Sequence, residues 1–234
     1  MISFNNVVLA GIEDITSEES YSSQFIEERL APTYKSLKLP QGRLELMTGI
    51  KERRLWPVGT RPSDLSTRVA QKLLKNTSYQ AQDIDLLIHS SVCRDFLEPS
   101  TASVVHHNLA LSDQTMIFDL SNACLGMMNS IVVAGNMIET RQIKSALLVS
   151  GENASPLLEE TISFLNKGSQ DGSITRKTIK RYIANLTIGS AATAILIAHK
   201  DEFPHAPRVL GGAVKTDSSA HNLCQGNGDR HSLM

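Results

Sequence analysis

The sequence predicts an α/β fold with layered architecture and a mostly parallel sheet. Three observations support this prediction. Short apolar runs of strand length recur along the chain, and amphipathic helical patterns separate them. Hydrophobic residues make up 41% of the 234 residues, which is enough for a substantial buried core. Strands that alternate with helices are joined by crossovers, and such connections place neighbouring strands parallel.

The first predicted elements are a strand over residues 7–12 and a helix over residues 17–30. Ser17 is the expected cap of that helix, because two glutamates follow it in the first turn. Residues 43–62 are rich in turn formers. A second helix is predicted over residues 63–74, since it opens with a serine and an aspartate.

The middle of the chain alternates strands with helices. Residues 85–90 form a short apolar strand, and Ser100 or Thr101 caps the helix that follows. Residues 116–120 are again apolar and predict a buried strand. The helix over residues 125–140 follows, with apolar residues at helical spacing.

Three further segments complete the predicted fold. Residues 144–151 predict another buried strand, and the polar residues 168–178 predict a surface loop. Residues 186–198 predict a long apolar strand with small residues near its start. A last short strand is expected over residues 208–214, interrupted by two glycines.

Cys124 lies at the junction between the strand 116–120 and the helix 125–140. The N–H groups of a first helical turn favour negative charge, and the thiolate is the reactive form of cysteine. By position alone, a cysteine is more often a small buried apolar residue. Cys124 is therefore a candidate nucleophile, and this assignment needs support from other parts of the sequence.

Several segments resemble the ketoacyl-synthase III branch of the thiolase superfamily. The order and spacing of the segments carry the resemblance, which implies a layered αβαβα fold and a nucleophilic Cys124. The segments are T-G-I-K-E-R-R at 48–54, P-S-T-A at 99–102, F-D-L-S-N-A-C-L-G at 118–126, A-L-L-V-S-G-E at 146–152 and G-S-A-A-T-A at 189–194.

A narrower resemblance, to the OleA family of bacterial long-chain olefin biosynthesis, rests on R-D-F-L-E-P-S-T-A at 94–102 and on residues 222–230. In that family a glutamate of this loop acts as a base and reaches into the partner subunit's site, so the resemblance implies this role for Glu98. It also implies that Cys124 takes an acyl group from a long-chain fatty acyl-CoA. Condensation with a second acyl-CoA, without decarboxylation, would then give a β-keto acid.

Two other functions remain open from the sequence. One is a decarboxylating 3-oxoacyl-[acyl carrier protein] synthase III. Such an enzyme needs no carboxylate base, and Glu98 would repel the carboxylate of a malonyl substrate. The other is a non-catalytic partner or scaffold subunit that keeps the fold. The intact segment around Cys124 favours chemistry over this second alternative.

The CoA nucleotide is expected to contact Arg53, Arg54, Trp56 and Arg94, because arginine suits phosphate and a flat aromatic ring suits adenine. A salt bridge or a packing role is an equally frequent use of such side chains. No cofactor is expected, since the CoA thioester enters as a substrate. The spacing of cysteines and histidines suggests no metal site.

Residues 1–198 are expected to form the half of the fold that carries the nucleophile, and residues 199–234 to begin the second half. The histidine and asparagine motifs of the second half, which would stabilise the enolate or the second oxyanion, are not found in the sequence. The resemblance therefore implies either a homodimer or complementing chain that supplies them, or a fragment or cleavage product from which that half was lost. The chain alone is expected to be catalytically incomplete and not to be a stable monomer.

Charge and cysteine content exclude several classes of protein. Lys and Arg number 23 against 24 Asp and Glu, which argues against binding to nucleic acid or to a membrane surface. No apolar stretch is long enough to span a bilayer, and no signal peptide is recognised. Three cysteines at unrelated spacings fit a reducing cytoplasm better than a disulfide framework.

Overall fold

The computed structural model describes residues 1–221 and confirms the α/β fold class. The strands of this range are β1 Ile2–Ser3, β2 Val7–Thr16, β3 Ser20–Ser22, β4 Glu52–Arg54, β5 Leu86–His89, β6 Met116–Asp119, β7 Ser145–Glu152, β8 Ala191–His199 and β9 Gly211–Gly212. The α-helices are α1 Ser23–Arg29, α2 Ala31–Ser36, α3 Arg43–Thr48, α4 Pro62–Asn76, α5 Thr101–Leu109, α6 Gly126–Glu139 and α7 Ser155–Asp171. None of these helices is long and apolar enough to cross a membrane.

The described chain folds into two compact units, each built from separate stretches of sequence. The first unit comprises Met1–Ile15, Thr60–Glu152 and Ala191–Lys215. The second comprises Thr16–Gly59, Asn153–Ser190 and the described residues after 215. The expected division into 1–198 and 199–234 stays a prediction. Residues 222–230, which carry part of the sequence resemblance, lie outside the described residues.

The first unit contains a five-stranded sheet with the order β2-β8-β7-β5-β6. Strand β5 pairs in parallel with both β6 and β7, whereas β7 and β8 pair antiparallel. The sheet is therefore mixed, and its parallel part is β7-β5-β6. All four residues of β5 are buried, as expected for a strand with neighbours on both sides and helices over both faces.

Alternate side chains of these strands face opposite layers of helices. Leu86 and Ile88 of β5 belong to the apolar cluster that includes Ala134 and Ile138 of α6. Helix α4 packs on β7 and β8. It lies so close that a Cβ at Gly151 would collide with the carbonyl oxygen of a residue in its first turn. The glycine thus permits the approach of α4.

The second unit is built around its own apolar cluster, formed by α1, α2, α7 and neighbouring segments. Glu27 of α1 is buried and fixes the start of α3. Its carboxylate accepts hydrogen bonds from the N–H groups of Gly42 and Leu44, both at 2.6 Å, and from the hydroxyl of Tyr34 at 2.9 Å. These bonds satisfy N–H groups that the first turn of a helix leaves unpaired.

Two predicted elements are wrong in part. The helix predicted over 17–30 begins only at Ser23, because Ser20–Ser22 pairs antiparallel with Glu52–Arg54 as β3. Ser22, not Ser17, caps this helix through a hydrogen bond from the N–H of Phe25. The loop predicted from residue 168 is helical to Asp171, since α7 ends only at a left-handed glycine.

Two strand boundaries also differ from the prediction. The strand expected over 186–198 begins at Ala191, and a 3-10 turn at Ala184–Leu186 precedes it. The strand expected over 208–214 is reduced to Gly211–Gly212, which pairs with Ile2–Ser3.

Candidate active site

Cys124 is an exposed residue at the start of α6. It lies in a 3-10 turn, Ala123–Leu125, that joins the end of β6 to α6. The backbone of Ala123 has a φ of 44°, in the left-handed region that residues other than glycine seldom occupy. The predicted position at a helix start is confirmed, and the side chain is not enclosed in the core.

Close packing and buried hydroxyl groups fix the first turn of α6. A Cβ at Gly126 would lie 3.3 Å from the carbonyl oxygen of Leu120 and 3.3 Å from Cβ of Ser90. The hydroxyl of Ser130 donates to the carbonyl of Gly126 at 2.9 Å and is hydrogen-bonded to the hydroxyl of Ser90. The backbone next to Cys124 is therefore anchored to the end of β5.

Glu98 and Cys124 follow neighbouring parallel strands of the same sheet. The loop with Glu98 leaves the end of β5, the turn with Cys124 leaves the end of β6, and His89 is in register with Asp119 at these two ends. The carboxyl ends of parallel strands lie at one edge of a sheet, where ligands commonly bind in α/β proteins. Glu98 is exposed, and its peptide bond to the following proline is cis.

The start of the Glu98 loop is held by Glu152 at the end of β7. Its carboxylate accepts hydrogen bonds from the N–H of Val92 at 2.6 Å and from the N–H of Cys93 at 3.1 Å. The sequence analysis missed this residue. A carboxylate directly after a buried apolar run was the only available signal.

The middle of the loop is held by Asp95, which the sequence analysis also missed. Its carboxylate accepts hydrogen bonds from the N–H of Ser63 at 2.9 Å and from the hydroxyl of Ser63 at 2.5 Å. In the same segment the guanidinium carbon of Arg61 lies 5.3 Å from the ring centroid of Phe96. Such a distance permits a cation–π interaction.

His89 and Asp119 form a buried polar pair beneath this edge. The carboxylate of Asp119 accepts hydrogen bonds from the N–H groups of Thr101 and Ala102, both at 2.8 Å, and so caps α5. Nδ1 of His89 lies 3.8 Å from Oδ1 of Asp119, and Nε2 lies 3.2 Å from the hydroxyl of Ser91. His89 is 1% exposed, which confirms its prediction as a core residue with polar partners.

Burial lowers the pKa of His89 below its ordinary value, and the carboxylate of Asp119 offsets part of this effect. The neutral imidazole is thus favoured in the folded protein. His89 serves the packing and hydrogen bonding at the strand ends.

The side chains predicted to bind CoA differ in accessibility. Arg53 is buried, and its guanidinium donates to the carbonyl of Tyr21 at 3.1 Å. Arg54 is exposed and donates to two backbone carbonyls at 3.2 Å. Trp56 is buried in the second unit, whereas Arg94 is exposed in the first. Their roles in binding CoA stay predictions.

The second unit contains a cavity of about 410 Å³ that the sequence analysis did not predict. Its walls are apolar and its rim is basic. On the rim, Nε of Arg176 donates a hydrogen bond to the backbone carbonyl of Leu37 at 2.6 Å. The other basic side chains of the rim form no ion pair within residues 1–221; they are Arg43, Lys177 and Lys180. The apolar lining residues are Leu30, Tyr34, Leu39, Pro40, Leu44, Met47, Ile179, Ile183 and Leu186.

No three His, Cys, Asp or Glu side chains come together at a place that could hold a metal ion, as far as the described part of the chain extends. The groups at the sheet edge are a thiol, carboxylates and hydroxyls. They are suited to nucleophilic attack and proton transfer.

Known proteins resemble this chain both in sequence and in fold. The sequence profile of 3-oxoacyl-[acyl-carrier-protein (ACP)] synthase III matches residues 118–169, which include Cys124. An acyl-CoA:acyl-CoA alkyltransferase of Xanthomonas campestris pv. campestris is 40% identical over 227 residues, which are 97% of this chain and 66% of that protein. A protein of the same name from Shewanella oneidensis is 35% identical over 211 residues, 87% of this chain and 58% of that protein.

The fold is also similar to a solved structure of OleA from Xanthomonas campestris, with serine in place of a cysteine and with bound lauric acid and lauroyl-CoA. The TM-score is 0.91 at 37% sequence identity, over 98% of this chain and 66% of that chain. This likeness confirms the predicted thiolase-like fold. The chain spans just under two thirds of the length of the Xanthomonas proteins, and less of the Shewanella protein.

The buried neutral state of His89 predicts a pH dependence of stability. The unfolded histidine has a pKa of about 6.5, and the folded value lies below it. Between these two values the unfolded chain binds a proton that the native protein does not, so the free energy of unfolding falls as pH falls through about 6.5. His89→Gln removes this contribution, and we expect a shallower decline between about pH 7.5 and pH 5.5.

Urea unfolding followed by circular dichroism measures this decline. His107→Gln, at an exposed position of α5, is the matched control and should retain the slope of the unsubstituted protein. Parallel curves for His89→Gln and the unsubstituted protein would contradict the prediction.

Proposed function

Because the chain belongs to the ketoacyl-synthase III branch of the thiolase superfamily, we propose that it is a condensing acyltransferase with Cys124 as its nucleophile. The observation that carries the proposal is the exposed thiol at the start of α6, on the sheet edge that also bears the Glu98 loop. The proposed substrates are fatty acyl-CoA thioesters, since a relative of the same fold was solved with lauroyl-CoA.

In the first step the thiolate of Cys124 attacks the thioester carbon of an acyl-CoA. The carbon–sulfur bond to CoA breaks, CoA leaves as its thiolate and takes up a proton, and the acyl group remains on Cys124. The N–H of Cys124 supports the developing oxyanion, because donors at the start of a helix point away from its body. The exposure of Cys124 supports this step, since the thioester needs access to the sulfur.

In the second step a second acyl-CoA loses a proton from its α-carbon to the carboxylate of Glu98 of the partner subunit, which is the arrangement that the family resemblance implies. The resulting enolate carbon attacks the acyl carbon on Cys124, a carbon–carbon bond forms, and the thiolate of Cys124 leaves. Water then hydrolyses the β-ketoacyl-CoA to a β-keto acid and CoA. This chemistry draws on a thiol and a carboxylate, so we propose that it needs no resident cofactor.

A decarboxylating 3-oxoacyl-[acyl carrier protein] synthase III is the second candidate, and the profile match over residues 118–169 favours it. Loss of CO₂ from a malonyl group gives the carbon nucleophile without a base. The exposed carboxylate of Glu98 discriminates between the candidates, because a base is needed only when the carbon nucleophile is made by removal of an α-proton and not by loss of CO₂.

Incubation of the chain with myristoyl-CoA, together with any co-purifying polypeptide that supplies the second half and without a malonyl donor, tests both catalytic roles. We expect an acyl adduct by intact mass spectrometry and CoA release beyond one equivalent. Cys124→Ala should remove the adduct and lower CoA release by at least about a thousandfold. Glu98→Gln should retain the adduct but slow further CoA release by about a hundredfold, as expected when a general base is lost.

Cys93→Ala and Asp113→Asn are the matched controls. Cys93→Ala removes another thiol. Asp113→Asn removes an exposed carboxylate just before β6, at the end of that strand opposite to the Cys124 turn. Both should behave like the unsubstituted protein. An adduct that survives Cys124→Ala would refute the nucleophile. Activity that requires malonyl thioester and is unaffected by Glu98→Gln would favour the decarboxylating enzyme.

We further propose that a second copy of the chain covers the outer side of β6, which is the outermost strand at one end of the five-stranded sheet. No strand among residues 1–221 pairs with the outer edge of β6, and Met116 on this strand is 50% exposed. Leu125 and Met128 beside Cys124 are exposed as well. Unpaired strand edges and exposed apolar side chains favour association.

Light scattering after size exclusion should give twice the molar mass of one chain. Met116→Lys should shift the protein toward the monomer, since a charge on an edge strand opposes pairing. Ile12→Lys places the same charge at an exposed position of β2, at the other end of the sheet, and should leave the mass unchanged. A monomeric unsubstituted protein would refute the dimer.

We place the activity in the cytoplasm, because the cysteine content suits a reducing compartment.

A further inference from the structure

The segment from Val92 to Glu98 has no helix or strand of its own, although the proposed base lies at its end. Its side chains give it little packing. Leu97 is 89% exposed, and Val92 and Phe96 are exposed as well. The position of Glu98 must therefore depend on specific polar contacts that tie this loop to the rigid parts of the first unit.

Asp95 supplies the hydrogen bonds nearest to Glu98 on the N-terminal side of Glu98. Both carboxylate oxygens are engaged by Ser63, one with the N–H at 2.9 Å and the other with the hydroxyl at 2.5 Å. The N–H of Asp95 also donates to the hydroxyl of Thr101 at the start of α5, at 3.4 Å. One residue thus links the loop to the first turns of both α4 and α5.

The helix at the other end of this link is held firmly. Ser63 is 1% exposed, and it lies in the first turn of α4, which packs closely on β7. The carboxylate of Asp95 pairs an N–H group that the helix leaves open and places negative charge at the positive end of the helix. Both effects favour one fixed position of Asp95.

Glu98 follows Asp95 by three positions, a reach of about 10 Å at most. Glu152 also anchors the loop, but it does so at Val92 and Cys93, farther along the chain from Glu98. A change at Asp95 therefore alters the position of Glu98 more directly than a change at Glu152.

We propose that Asp95 is a positioning residue for the second step, which holds the carboxylate of Glu98 where it can reach the α-proton of the second acyl-CoA. This inference rests on the proposed function of Glu98. Asp95 takes no part in the transfer of the first acyl group to Cys124. A misplaced general base loses most of its effect, since proton transfer needs hydrogen-bond distance.

The test separates the two steps with myristoyl-CoA. Intact mass spectrometry follows the adduct on Cys124 during the first turnover, and the rate of later CoA release follows condensation. Asp95→Ala should lower the later rate about tenfold or more and leave the first turnover unchanged. Asp95→Asn, which keeps the shape and one acceptor oxygen, and Ser63→Ala, which removes one of the two bonds, should give smaller losses in the same direction.

Asp64→Ala is the matched control. Asp64 is an exposed acidic residue in the same first turn of α4, so its loss removes similar charge from the helix start without touching the loop. We expect normal rates in both steps. Asp95→Ala in the Glu98→Gln background should cause no further loss, because no base remains to be positioned.

The outcomes distinguish this inference from the function on which it rests. If Glu98→Gln leaves condensation unchanged, the proposed base is wrong. If Glu98→Gln slows condensation and Asp95→Ala does not, the positioning role is wrong. Equal losses in both steps, or a further loss in the Glu98→Gln background, would assign Asp95 a structural role only. If Asp95→Ala does not fold, Asp95→Asn and Ser63→Ala decide by the same criteria.

Discussion

The parallel register of β5 and β6 is the constraint on which the candidate site depends. Because His89 is paired with Asp119, both strands end at the same level. The Glu98 loop and the Cys124 turn therefore follow the carboxyl ends of two neighbouring strands. A shift of one residue would turn every side chain of β6 to the other face of the sheet. The buried apolar residues of β5 oppose such a shift, because they face helices on both sides.

Carboxylates connect the loops of this edge to the helices and strands around them. Asp119 caps α5, Asp95 pairs the start of α4, and Glu152 binds the first N–H groups of the Glu98 loop. Each accepts hydrogen bonds from backbone groups that would otherwise lack partners. Irregular segments gain defined positions in this way, even where their own side chains are exposed.

The site also shows how chemical roles are divided among similar side chains. Cys124 is exposed, whereas His89 is buried and its pKa is lowered by burial. Glu98 faces solvent, whereas Asp95 and Glu152 are engaged by the backbone. Exposure distinguishes groups that can meet a substrate from groups that hold the scaffold.

The sequence by itself determined the fold class, the main strands and helices, and the position of Cys124 at a helix start, because apolar periodicity and helix signals are local. The order and spacing of several motifs, including the one around Cys124, also indicated the resemblance to the ketoacyl-synthase III branch. Tertiary structure alone decided that Ser20–Ser22 is a strand, since its partner lies some thirty residues away. It likewise decided the contacts of Asp95 and the basic cavity, because both depend on residues that are distant in sequence and meet only after folding.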